Sequence, residues 1–376
     1  MKRIVRKITT VAYQKAAKPL LFRQSPDKVH KNLIRTAKTV QKIPLVRQLP
    51  KLWSHYNDPV LAQTIAGINF RNPIGLSAGF DKKIDMPLLM KSIGFGWMTG
   101  GSVTLGEYKG NDGDWYYRLP KSKSIVVHAG LPSEGTDVVS ARVRGYAKKL
   151  FTDFPLSVSV AKTNSKAAAN DTDALRDYTT SLAVFDKLPQ VRMLEINISC
   201  PNTFGGEPFT DAPRLEKLLV AVDELGLKKP VVIKMPINLP KNEFDALLAV
   251  IVKHNIAGVA IGNLFKDRSK AVLSDVLPEQ VKGNLSGAPT REATTELVRR
   301  TYQQYGQKLL IIGIGGVMSA EDAYEKIRAG ASLVALITGL MFEGPQLVGD
   351  INAGLVKLLE QDGYATIADA VGVDAR

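Results

Sequence analysis

Eight short apolar runs, separated by helical stretches from about residue 66 onward, constrain this chain more than any other feature of its sequence. They are Pro73 to Ser77, Phe95 to Gly100, Leu156 to Val160, Leu194 to Ile198, Val231 to Met235, Val259 to Gly262, Leu310 to Ile314 and Val334 to Thr338. Most are continuous in Val, Ile and Leu, the pattern of parallel strands covered on both faces. Between several of them lie amphipathic segments such as DAPRLEKLLVAVDEL, KNEFDALLAVIVKHN and SAEDAYEKIRAG. The count predicts an α/β fold, a (β/α)8 TIM barrel over 55–376, preceded by a small N-terminal helical extension over 1–54. A doubly wound open sheet also alternates, but it normally carries its Gly-rich phosphate loop after the first strand. Here the glycines that resemble a phosphate loop come late. The stretch from 101 to 155 is too long for an ordinary crossover and is expected to cover the C-terminal face, where barrel active sites lie.

The seventh run leads into Gly313-Ile314-Gly315-Gly316-Val317 and then a helix opened by Ser319-Ala320-Glu321-Asp322; the eighth leads into Thr338-Gly339. Backbone N–H groups without a Cβ approach phosphate closely, and loops 7 and 8 are the common phosphate site of such barrels. The fourth run ends in polar residues, Glu195-Ile196-Asn197-Ile198-Ser199-Cys200-Pro201-Asn202-Thr203. A lone cysteine is usually a small buried hydrophobe, but one between two asparagines at the active end of a strand is a candidate catalyst. Lys82 follows the first run and Lys234 lies within the fifth. A lysine in a barrel strand needs an anionic or electron-rich partner, so Lys234 is expected to contact a cofactor and Lys82 a cofactor or a carboxylate substrate, with surface salt bridges as the alternative.

One cysteine forms no internal disulfide or multi-Cys metal site, and the four histidines lack the spacing of a zinc enzyme; no metal is expected. No apolar run reaches the roughly 20 residues needed to cross a bilayer, and the N-terminus lacks a secretory core. The formal charge of +14 is unevenly placed: residues 1–51 hold 14 Lys/Arg and one acid, Asp27. Ile4, Val5, Ile8, Val11 and Ala12 form a helical stripe flanked by Lys2, Arg3, Arg6 and Lys7. That pattern suits a helix lying on an anionic membrane; a basic helix packed on the barrel is the alternative, and nucleic-acid binding lacks aromatic interleaving or a binding motif. Pro19, Pro26, Pro44 and Pro50 are expected to cut the segment into short helices. The clearest begins at Ser25 as N-cap, with Asp27 near its positive end.

NPIGLSAGFDK, INISCPNT, VVIKMP, LSGAP, IIGIGG and ITGLMFEGP, in this order, resemble the dihydroorotate dehydrogenase family, specifically its membrane-associated, quinone-reducing class, over about residues 20 to 350. The resemblance implies an FMN-dependent oxidation of dihydroorotate to orotate in pyrimidine biosynthesis, with quinone as acceptor, on the cytoplasmic side of the cell membrane. It implies that Ala78, Gly79, Lys82, Ser102, Asn197 and Gly262 lie along the flavin. Lys234 falls near the flavin N1/O2 edge, and Gly287, Gly315, Gly316, Thr338 and Gly339 surround the phosphate. Lys82 would hold the substrate carboxylate, and Asn197, Asn202 and Asn263 the pyrimidine ring. Cys200 would remove the C5 proton while hydride leaves C6 for flavin N5, its thiolate stabilised by the flavin site. His30 and Arg118 match quinone-tunnel positions.

The chain also departs from that family. The membrane class usually has serine where Cys200 stands, the soluble class cysteine, and the flavin-side tyrosine of the tunnel is Ile337. Val127-His128-Ala129-Gly130-Leu131-Pro132 removes an asparagine that helps bind orotate, Leu264 replaces a Ser/Thr, and Ser159 and Gly262 stand for an Asn and a Thr near the flavin. A polar-ring site loses discrimination when donors become apolar, so a less polar CH–CH donor is the alternative substrate.

Overall fold

The computed structural model describes every residue except Met1, Ala167, Ala169, Pro201 and Gly205, and the side chains of Lys2, Arg3 and Pro208 also fall outside the description. The turn proline after Cys200 and the side chains of the first two flanking cations of the N-terminal stripe therefore lie outside the described part of the structure.

All eight apolar runs form strands of one closed parallel barrel: β1 (Ile74–Leu76), β2 (Trp97–Val103), β3 (Leu156–Val160), β4 (Val191–Asn197), β5 (Val231–Met235), β6 (Gly258–Ile261), β7 (Leu310–Ile314) and β8 (Leu333–Leu336). Each pairs with its sequence neighbour, and β8 closes on β1 with Val334 opposite Ile74. The boundaries differ at β2, which begins two residues later than its apolar run and continues three further, at β4, which begins three residues earlier, and at β8, where Thr338 instead opens a short helix, Thr338–Glu343. The strands are buried along nearly their whole length because their Val and Ile side chains face the barrel interior on one side and the helices on the other. An antiparallel hairpin, Gln63–Ile65 with Ile68–Phe70, places Ile68 and Phe70 among Trp97, Met193, Leu310 and Leu333 in an interior cluster. The three segments expected as helices are Ala212–Glu224, Lys241–Ile251 and Ala320–Arg328.

The long stretch after β2 supplies the strands Tyr116–Leu119 and Ser124–Val127, and Asn284–Gly287, from beyond β6, joins them in a three-stranded antiparallel sheet. This sheet puts Tyr116, Ile125, Val127 and Ser286 over the mouth of the barrel.

The N-terminal helices α1 (Lys2–Ala12), α2 (Lys18–Phe22) and α3 (Pro26–Val40) pack against the barrel. Pro19 does not break the chain. The backbone stays helical from α1 through a π-type stretch at Tyr13–Ala17 into α2, where Pro19 is the second residue. Ser25 caps α3 as expected. Asp27 lies in the first turn of α3 as expected, and its carboxylate also accepts from the N–H groups of Trp115 and Tyr116, both at 3.2 Å. Arg6, expected on the rim of the apolar stripe, is buried and pairs with Asp350 at 3.1 Å. Ile4, Ile8 and Val11 consequently face outward, each about 60 % exposed. Among the described residues, no helix is long and apolar enough to cross a membrane.

Candidate active site

One cleft with two lobes opens at the C-terminal end of the barrel. The inner lobe, with about 570 Å³ of unfilled space, is walled by the loops after β6, β7 and β8 and holds Gly262, Gly287, Gly315, Gly316, Thr338 and Gly339. Gly315 and Gly316 have φ of +107° and +70°, a conformation that favours glycine. A Cβ at Gly315 would come within 2.6 Å of Thr290 Oγ1, and one at Gly316 within 2.3 Å of Arg291 Cβ. The loop is therefore pressed onto the start of the Arg291–Tyr305 helix, and Thr290 and Ser286 add hydroxyls to the lining. Ser286 lies within the LSGAP motif, and Thr290 closes the Ala-Pro-Thr entry to that helix.

Lys234 stands where the two lobes meet and lines both. Its side chain is buried, and among the described residues it has no ion-pair partner. A buried ammonium facing an open cleft calls for an anionic or electron-rich ligand group. Together, a glycine- and hydroxyl-lined pocket and this cation fit a phosphorylated, electron-rich cofactor such as FMN.

The outer lobe, with about 950 Å³, contains Ala78, Gly79, Lys82, Ser102, Asn197, Cys200, Asn202 and Asn263. Lys82 Nζ donates to the Gly79 carbonyl and to Tyr116 Oη, each at 2.6 Å, leaving one N–H for a ligand. The three asparagines are held by protein contacts. Asn197 donates to Ser102 Oγ at 3.0 Å and accepts from Ser199 N–H at 3.2 Å. Ser102 Oγ in turn lies 2.8 Å from Ser159 Oγ, so Ser159 is buried behind the wall and completes a polar chain there. Asn263 donates to Ser199 Oγ at 2.6 Å and accepts from the Leu264 N–H at 2.9 Å. Asn202 donates to the Val127 carbonyl at 3.0 Å and accepts from Asn284 Nδ2 at 2.9 Å. Asn197 and Asn202 each retain one N–H, whereas the Asn263 amide nitrogen lies against both the carbonyl and the hydroxyl of Ser199. Tyr116 and Asn284 were not anticipated, because only the three-stranded sheet brings them here.

Cys200 reaches this lobe, but burial pushes its thiol up to about 11, with Glu207 adding to the rise and Lys234 and Lys162 opposing it. The protein's own groups thus raise the thiol, with the Asn202 backbone N–H, Lys234 and Lys162 acting in the opposite direction.

A third cavity, apolar and about 1020 Å³, lies between the N-terminal helices and the barrel and shares His30, Phe80 and Met341 with the outer lobe. Both His30 and Arg118 line it. His30 packs edge-on to Phe80 at 5.6 Å, and burial, with Lys82 nearby, pushes its pKa down to about 3, so the ring is neutral. Arg118 lies 4.6 Å from the Phe22 ring centroid and donates to the carbonyls of Phe22 and Gln24. Ile337 lines both lobes of the cleft beside Gly79.

A family model described as "Dihydroorotate dehydrogenase" matches residues 60–359. The chain belongs to the dihydroorotate dehydrogenase family. Among its relatives, a protein of Halobacterium salinarum named "Dihydroorotate dehydrogenase (quinone)" is 35% identical over 358 residues, covering 95% of this chain and 98% of that one. A Synechocystis protein of the same name is 32% identical, covering 94% of each chain. A dihydroorotate dehydrogenase from Eimeria tenella, solved in complex with ferulenol, superimposes with a TM-score of 0.80 at 25% identity, covering 94% of this chain and 96% of that one.

Proposed function

We propose that this protein oxidises dihydroorotate to orotate with bound FMN and passes the electrons to a quinone. The observation that carries the reading is the buried Lys234, without an ion-pair partner among the described residues, at the junction of a glycine-lined pocket and an asparagine-lined one. FMN, when bound, supplies the two-electron acceptor. Gly315, Gly316, Gly339, Gly287 and Thr338 hold its phosphate, Lys234 its pyrimidine edge, and Ala78, Gly79, Ser102, Asn197 and Gly262 line the remainder. Lys82 fixes the substrate carboxylate with its free N–H, the asparagines orient the ring, and Cys200 takes the C5 proton. The names of the relatives support both the donor and quinone as acceptor. Purified protein is expected to be yellow and to release one FMN per chain on denaturation. A colourless protein that cannot be reconstituted with FMN rules the reading out.

The N-terminal segment is proposed to rest on the cytoplasmic face of the cell membrane. Ile4, Ile8, Val11, Leu20, Leu45 and Leu52 are exposed, the segment is strongly basic, and the apolar cavity lies beneath it. Basic charge with outward apolar side chains binds anionic bilayers, and the cavity offers a lipid-soluble quinone a path to the cleft. Replacing Ile4, Ile8 and Val11 together by serine is expected to weaken co-sedimentation with anionic vesicles by about tenfold or more, since loss of even ~1.4 kcal/mol of apolar burial has that effect. Reduction of the flavin by its donor is expected to be unchanged. Equal vesicle binding by the two proteins removes the proposed membrane placement.

A further inference from the structure

Behind the Cys200 loop, outside the lining of the cleft, lies a buried ammonium that no carboxylate pairs with among the described residues. Lys162 follows the C-terminal end of β3 and is 3 % exposed. Its Nζ donates to the carbonyl of Phe204 at 2.7 Å. Two residues further on, Asn164 Oδ1 accepts from the N–H of the same Phe204 at 2.6 Å. The extension of β3 thus grips both backbone polar groups of one residue in the loop that carries Cys200. Thr203 tightens the same turn by donating to the Cys200 carbonyl at 3.1 Å.

A neutral donor such as glutamine would satisfy a carbonyl, so the grip alone does not account for a buried positive charge, which is costly without a counter-charge. Asp177 acts on Lys162 electrostatically, but its two oxygens already accept from the Leu105 and Thr163 N–H groups at 2.9 and 2.8 Å. The other group within the field of Lys162 that becomes an anion is Cys200.

We infer that Lys162 is a positioning residue for the base: it fixes the loop that presents Cys200 and brings its ammonium into the field of the sulfur, favouring the thiolate. The thiolate then takes the substrate proton and becomes a thiol. The inference rests on the reading of Cys200 as the base. Other charges facing the sulfur are Lys234 from β5, which also favours the thiolate, and Glu207 further along the loop, which opposes it and is in contact with Lys266. Tyr178, on the neighbouring Asp171–Asp186 helix, donates its hydroxyl to the Asn197 carbonyl at 2.8 Å, and burial keeps it neutral.

Cys200 is the chain's only cysteine. Iodoacetamide labelling of the intact holoenzyme, followed by mass against pH, therefore reports its ionisation directly, because the thiolate is the reacting form. Lys162→Gln is expected to move the labelling profile up by about one pH unit, making labelling at pH 8 roughly tenfold slower, and to slow flavin reduction at saturating donor by a similar factor. Lys162→Arg is expected to keep the wild-type labelling profile. A Lys162→Gln enzyme that retains FMN and labels like wild type at every pH overturns the inference. Should the glutamine variant fail to fold, an arginine variant displaced upward by a full pH unit does the same. The labelling measurement needs no turnover, so it stands apart from the base assignment itself, which fails if Cys200→Ala reduces flavin at the wild-type rate.

Discussion

Cys200→Ala is expected to slow anaerobic flavin reduction by the donor by roughly 10² or more while FMN stays bound. The other titratable side chains lining the outer lobe are poorly suited to the role of base. Lys82 and Lys234 serve as cations, the hydroxyl of Tyr116 accepts from Lys82, and His30 is a very weak base, its pKa held near 3. The pH dependence follows from burial. A thiol pushed up to about 11 is mostly protonated at neutral pH, so the thiolate fraction rises about tenfold per pH unit below that value. Flavin reduction in the wild type is therefore expected to climb with pH from 6 to 9 without levelling off. Cys200→Ser is expected to retain part of the rate, with its rise displaced to higher pH. Stopped-flow absorbance of the flavin measures both effects, and wild-type reduction rates in the alanine variant would return Cys200 to a packing role.

The barrel was legible in the sequence because each parallel strand announces itself locally. Val231–Met235 and Leu310–Ile314 are buried on both faces, so each reads as an apolar run whatever surrounds it. The glycines after β7 and β8 were legible for a related reason: their meaning comes from position at the end of a strand, and the strands could be counted. The sheet over the mouth could not be read this way. Asn284 pairs with Val127 from far along the chain, and nothing near either residue indicates the partner. That long-range pairing supplies Asn284 to Asn202, while the first strand of the same sheet supplies Tyr116 to Lys82. Arg6 shows the same limit on the N-terminal helix. The periodicity identified an apolar stripe, but Asp350 decided which face turned inward. Cys200 was marked by its place at the end of β4, whereas its ionisation depends on burial and on Lys162, which became visible only in three dimensions.

The donor preference turns on the same contacts. Dihydroorotate is expected to reduce the flavin, but with weakened affinity, because Val127 presents an apolar side chain where a ring-binding amide is expected, and Leu264 does so beside Asn263. The carboxylate keeps its charge-assisted bond to Lys82. Asn284 offsets part of the loss by fixing the Asn202 amide from the neighbouring strand, taking one of the two acceptor sites of its oxygen. A missing hydrogen-bond partner costs about 1 to 3 kcal/mol, or roughly 5- to 150-fold in affinity. Val127→Asn with Leu264→Ser is therefore expected to lower the dihydroorotate concentration for half-maximal flavin reduction by a factor in that range, with FMN content unchanged. Titrating anaerobic flavin reduction with dihydroorotate in both proteins makes the comparison. If the wild type shows no reduction at millimolar dihydroorotate, the alternative gains, a less polar CH–CH donor that rests an apolar group against Val127 and Leu264; no gain in the double variant then shows that the pocket differs by more than these two contacts.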